Sequence, residues 1–121
     1  MDKNNTKEVI KRVYQAIDDK KGEEVMILDV SAISSFTDFF VICHGNNERQ
    51  NQAICDEIRE KLKKEMKINP AHIEGYQQAD WILMDYLDFV VHIFSQQARQ
   101  FYKLEKLWSD GVEIEPRALS A

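Results

Sequence analysis

Three carboxylates crowd the segment Asp80 to Phe94 (Asp-Trp-Ile-Leu-Met-Asp-Tyr-Leu-Asp-Phe-Val-Val-His-Ile-Phe), which contains no Lys or Arg. Carboxylates held close together bind Mg²⁺ through oxygen, as phosphoryl or nucleotidyl transfer requires, and Asp85 and Asp88 are the obvious pair. Their spacing of three straddles a polar turn, however, whereas two side chains on one face of a strand stand two residues apart. Asp in a turn accepts backbone hydrogen bonds through its own side chain, and this is the favoured role for both. A nucleotidyltransferase-like enzyme using Asp85 and Asp88 with Mg²⁺ is kept as the alternative.

Other candidates for chemistry have plainer readings. Gly45-Asn46-Asn47 leads from a strand into a helix, where free N–H groups attract anions, but no Gly-Lys-Ser or further glycine follows. A tight turn capped by Asn46 or Asn47 is expected. Arg49 on the first helical turn opposes the helix dipole, so a carboxylate such as Asp38 is expected to hold it as a structural partner. His44, His72 and His92 are too scattered for a zinc motif, and no Cys stands at ligand spacing. Cys43 and His44 are neighbours on a strand and point to opposite faces. No catalytic residue, metal or cofactor is therefore expected.

The same segment offers a binding surface instead. Trp81 shares a strand face with Leu83 and Asp85, which leaves it either a core residue or an exposed anchor. His92 lies on the face opposite Val91 and Ile93. Tyr102 and Trp108, in a helical segment from Arg99 to Trp108, add large amphipathic side chains of the kind favoured at interfaces.

These residues are positioned by a simple order of elements. Val9, Ile10, Val13, Ala16 and Ile17 mark an amphipathic helix between Thr6 and Lys21, and Gly22 stops it. Strands are predicted at Glu24–Val30 and Asp38–His44, followed by a long helix over Glu48–Lys67 that ends at Asn69-Pro70. A short edge strand at His72–Gly75 and a hairpin from Trp81 to Phe94 come next. The order predicts a single α/β domain with a mixed sheet of about five strands flanked by helices. The helix between the second and third strands favours parallel placement of that pair.

A chain of 121 residues fits one domain, taken as 1–108, with 109–121 expected to form a flexible tail. The net charge of −5 argues against a nucleic-acid-coating protein and toward a basic protein partner. Cys43 and Cys55 match no disulfide framework, so reduced thiols in the cytoplasm are expected. The charged N-terminus lacks a secretory signal, and the longest apolar run is too short and too acidic to span a bilayer.

In this order, Leu28-Asp29-Val30, Thr37-Asp38-Phe39-Phe40-Val41-Ile42, Gly45 with Arg49-Gln50, Glu74-Gly75, Ala79-Asp80-Trp81-Ile82, Asp85-Tyr86 with Asp88, Val90-Val91-His92-Ile93-Phe94, and Arg99 with Tyr102 and Leu104-Glu105-Lys106-Leu107-Trp108 resemble the ribosomal silencing factor, or Iojap, family. Each piece is weak and the ordered set is specific. The resemblance implies a nucleotidyltransferase-like mixed-sheet fold without that activity; the Gly-Ser opening and the Asp-x-Asp pair are absent here. It further implies binding to ribosomal protein L-fourteen on the large ribosomal subunit, steric exclusion of the small subunit, lowered translation when nutrients run short, and a homodimer in the free state. Carried over by position, the partner surface comprises Trp81, Asp85, Tyr86, Asp88, Tyr102 and Glu105. No membrane and no direct sequence-specific nucleic acid binding are expected.

Overall fold

Val9, Ile10, Val13, Ala16 and Ile17 form the buried stripe of the first helix, α1 (Lys3–Asp19), in a computed structural model that describes residues 3–120. The same periodicity buries Ile54, Ile58 and Leu62 on α2 (Glu48–Met66). Asn47 caps α2 as expected, its Oδ1 accepting the Gln50 N–H at 2.7 Å. The helix ends at Lys67, whose φ of 57° lies in the left-handed region, before Asn69-Pro70 is reached.

Six strands form one mixed sheet: β1 (Glu23–Asp29), β2 (Phe39–Gly45), β3 (His72–Glu74), β4 (Trp81–Asp85), β5 (Phe89–Ser95) and β6 (Val112–Ile114), in the spatial order β3-β4-β5-β2-β1-β6. Only the central pair, β2 and β5, is parallel; every other neighbour is antiparallel. β2 is buried along its whole length, as a strand paired on both sides and covered on both faces must be, which is why its sequence is nearly all apolar. β3 runs in the same direction as β2, but β4 and β5 lie between them. The crossover through α2 therefore sets direction without making neighbours.

Strand alternation divides the sheet into two unequal faces. Ile27, Phe39, Val41, Ile82, Met84, Val91 and Ile93 meet α1 and α2 in the larger core. Leu28, Phe40, Ile42, Val90 and Phe94 point the other way, against Ala98 and Leu104. At about 25 cal/mol per Å² of apolar area removed from water, the first face holds most of the fold together.

Two expectations are corrected. The single helix from Arg99 to Trp108 is instead α3 (Gln96–Tyr102) and α4 (Leu104–Leu107), broken at Lys103 with φ 47°. Tyr102 packs on Trp81, and Leu104 is buried on the sheet. In one continuous helix those two residues would point about 200° apart, so the left-handed residue between them lets both reach the sheet. The segment after Trp108, expected to form a tail, also carries regular elements. β6 pairs with β1, matching Ile27 to Ile114, and a 3₁₀ turn at Pro116–Ser120 brings Leu119 into the larger core. β6 covers an edge of β1 that would otherwise expose unpaired backbone groups.

Gly75 fixes the start of β4. Its φ is +78°, and a Cβ there would collide with the Trp81 carbonyl oxygen, while its own carbonyl accepts the Ala79 N–H at 2.9 Å. Gly75→Ala is expected to cost at least about 2 kcal/mol in urea denaturation; an unchanged midpoint would contradict this packing.

Candidate functional site: an aromatic groove with an acidic wall

The second face of the sheet is only half covered. α3 lies against β5 and β2, and Leu104 and Trp108 join Leu28, Val30, Phe40 and Ile42 in one apolar cluster. Beyond them a groove of about 300 Å³ opens, with Phe40, Leu83, Val90 and His92 in its floor. One wall is apolar: Trp108 stands edge-on to Phe40 at 4.9 Å, and Phe36, 63% exposed, stands edge-on to Trp108 at 6.1 Å. The facing wall is polar and acidic, with His72 within 4.0 Å of both Glu74 (3.9 Å) and Asp85 (3.8 Å). Aromatic area beside fixed carboxylates suits a partner segment that carries both apolar and basic side chains.

His92 joins this floor to Trp81. The indole Nε1–H donates to His92 Nδ1 at 3.1 Å; because indole is a donor only, the neutral imidazole keeps its proton on Nε2. Burial holds the His92 pKa down at about 3, so the ring stays uncharged. Trp81 itself is half-buried, packed on Phe94 at 4.9 Å and under Tyr102 at 4.8 Å. It is thus neither a sealed core residue nor a free anchor: Tyr102, 45% exposed, is the outer layer of an aromatic stack that meets the groove at His92.

The six residues carried over by position fall into different places. Trp81, Asp85 and Tyr102 lie together on the open face. Asp85 is also the turn former expected of it, its Oδ1 accepting the Leu87 N–H at 2.8 Å. Tyr86 is on the other side: it is 7% exposed, stacked on Phe89 at 4.8 Å in the larger core, and its hydroxyl has no partner. Burial pushes the Tyr86 pKa well above the ordinary phenol range. As placed here it presents nothing to a partner. Asp88 sits in the hairpin turn, where its carbonyl accepts the Asp38 N–H at 3.1 Å. Glu105 serves an internal ion pair, its Oε1 accepting from Arg99 Nε at 3.2 Å.

The expected link between Arg49 and Asp38 does not form. Asp38 precedes β2 and Arg49 follows it, so the seven-residue strand separates them by about 20 Å. Cys43 and Cys55 are both buried free thiols, with pKa values pushed up to about 12 by burial. Among the described residues no three His, Cys, Asp or Glu side chains converge on a point where a metal could be held, and no helix is long and apolar enough to cross a membrane. Phe36, Leu83, Leu104, His72 and Glu74 complete the groove and were not singled out from sequence. For Leu83 the signal was present, since it alternates with Trp81 and Asp85; for Phe36 and His72, which arrive from distant loops and an edge strand, there was none.

Fold and groove together define a small mixed-sheet α/β domain whose second face is open. The family model described as "Ribosomal silencing factor during starvation" matches residues 3–121. A ribosomal silencing factor from Halalkalibacterium halodurans is 45% identical over 111 residues, covering 92% of this chain and 94% of that protein; one from Bacillus subtilis is 43% identical over 107 residues, covering 88% and 90%. Crystal structures agree: a Chromobacterium violaceum protein superposes with a TM-score of 0.81 at 30% identity over 84% of each chain. A Bacillus halodurans protein gives a TM-score of 0.77 at 45% identity, covering 89% of this chain and 97% of that one. The chain belongs to the ribosomal silencing factor family.

Two outcomes follow from this geometry. Tyr86→Phe removes a buried hydroxyl that has no partner, so equilibrium unfolding should show unchanged or higher stability, by up to about 1 kcal/mol; a loss of that size would mean the hydroxyl is bonded. For His92, the unfolded chain takes up a proton near 6.5 and the folded chain only near 3. Stability present above pH 6.5 is therefore lost as pH falls toward 3, by up to about 1.4 kcal/mol per unit. His92→Gln should flatten that acid limb, and an equal slope in both proteins would contradict the assignment.

Proposed function

We propose that this protein is a cytoplasmic, non-catalytic regulator of translation that docks on the large ribosomal subunit through the aromatic groove. Its contact there is ribosomal protein L-fourteen, and the bound protein occupies space the small subunit needs for joining, so that translation falls when nutrients run short. Membership of the family supports the ribosomal target. A relative at greater distance points the same way: the mouse protein named "Mitochondrial assembly of ribosomal large subunit protein 1" is 29% identical over 93 residues, spanning 74% of this chain and 40% of that protein. The observation that carries the reading is the open second face, where Phe36 and Trp108 face Asp85 and Glu74 across a floor that includes Leu83.

Trp81, Asp85 and Tyr102 are the proposed contacts retained from the sequence, with Leu83, Phe36 and Trp108 added. Asp88 and Glu105 act through the hairpin turn and the Arg99 ion pair. Steric blocking needs occupancy and no bond making, and an interface of about 1,200 to 2,000 Å² suffices to hold such a factor. In the free state the same apolar face is proposed to close against a second copy, giving the homodimer.

The test is subunit joining followed by light scattering, with large-subunit pelleting alongside. The protein should suppress joining, while Leu83→Glu, a charge placed in the groove floor, should weaken large-subunit binding by at least about 2 kcal/mol, or roughly thirtyfold. Undiminished joining at saturating protein would overturn the proposal. Wild-type binding by a folded Leu83→Glu variant would move the contact to another face.

A further inference from the structure

We propose a second site, a binding cleft for a phosphate monoester at the carboxyl ends of β2 and β5. These two strands are parallel neighbours, yet the chain leaves β2 toward α2 on one face and leaves β5 toward α3 on the other. Such a reversal is a topological switch point, and open α/β sheets bind ligands in the crevice it leaves beyond the strand ends. Here that crevice is real, with a volume of about 420 Å³, enough for a phosphate and an attached sugar-sized group.

Its chemistry favours an anion. Arg99, only 7% exposed, is held in place by three contacts: Nε donates to Glu105, and Nη1 donates to the Glu23 carbonyl and to His44 Nδ1. Nη2 has no partner among the described residues and is not one of the sealed unpartnered atoms. Since the guanidinium only donates, His44 Nδ1 accepts from it, and the His44 ring lines the cleft beside Arg99. Lys103 and Lys106 stand on the rim, with the Gln96 and Gln100 amides between. Against these three cations stand two carboxylates: Glu105, already paired with Arg99, and Glu24, an exposed residue whose Oε2 lies 3.9 Å from His44 Nδ1. A dianionic, tetrahedral group matches a preorganised guanidinium flanked by lysines and amides better than a cation or a neutral ligand does.

The site is separate from the groove, because none of these residues lines it. The experiment is titration of the ¹⁵N-labelled full chain with inorganic phosphate at constant ionic strength, read from amide shifts. Saturable shifts should centre on His44, Gln100 and Lys103. The double variant Lys103→Ala/Lys106→Ala, whose spectrum reports retained folding, should bind about tenfold more weakly, and Glu24→Gln should bind about threefold more tightly. A dinucleoside carrying one phosphodiester should bind more weakly than phosphate. No saturation, equal binding by the double variant, or tighter binding of the diester would each overturn the monoester site, the last by assigning the cleft to a nucleic-acid backbone.

Discussion

Arg99 ties the end of α3 to the sheet at two points, the Glu23 carbonyl and His44 Nδ1, and through Glu105 to the first turn of α4. A guanidinium at 7% exposure would be costly without this ring of acceptors, since breaking a buried pair costs several kcal/mol. The consequence is positional. α4 and Trp108 are fixed over β1 and β2 and go no further, so Leu83, Val90 and His92 keep an open side. Had α3 and α4 continued as one helix, Leu104 would have turned away from the sheet and the apolar wall of the groove would be missing.

The two faces differ in how completely they are paired, and the proposed function rests on that difference. The α1–α2 face is a finished core: its side chains are almost all sealed, and Tyr86 joins it in step with Ile82 and Met84. The other face is a partial core that stops at an aromatic edge, where Trp81 is layered between Phe94 and Tyr102 and hydrogen-bonded to His92. An apolar surface with a carboxylate wall is poorly satisfied by water alone and is completed by a partner of matching shape and opposite charge. Because His92 stays neutral, the floor of the groove holds no charge that a partner would have to desolvate.

Much of this was legible in the residues. Period-3.6 and period-2 patterns located α1, α2, the central strands and the hairpin, and alternation alone placed Trp81, Leu83 and Asp85 on one face with His92 across from Val91 and Ile93. Asn47 and Asp85 carried out the capping and turn roles their chemistry favours. What local pattern missed depends on distant contacts. The break at Lys103 arises because Tyr102 and Leu104 must both reach the sheet; the pairing of β6 arises because β1 has an edge to cover. Tyr86 was misplaced because it was carried over with Asp85 by position, although alternation through Ile82 and Met84 puts its ring on the core face. Arg49 and Asp38 were joined by charge alone, though a whole strand lies between them. Of the candidate site, the β4 half was readable, and the half built by Phe36, His72 and Glu74 exists only after folding.

The central claim, that the half-covered face is the docking face, is tested most directly by hydrogen–deuterium exchange of the protein free and bound to large ribosomal subunits. Protection on binding is expected in β3, β4, the β1–β2 loop around Phe36 and the α3–α4 segment, with α1 and α2 unchanged. Protection confined to α1 and α2, with the groove exchanging as in the free protein, would contradict it.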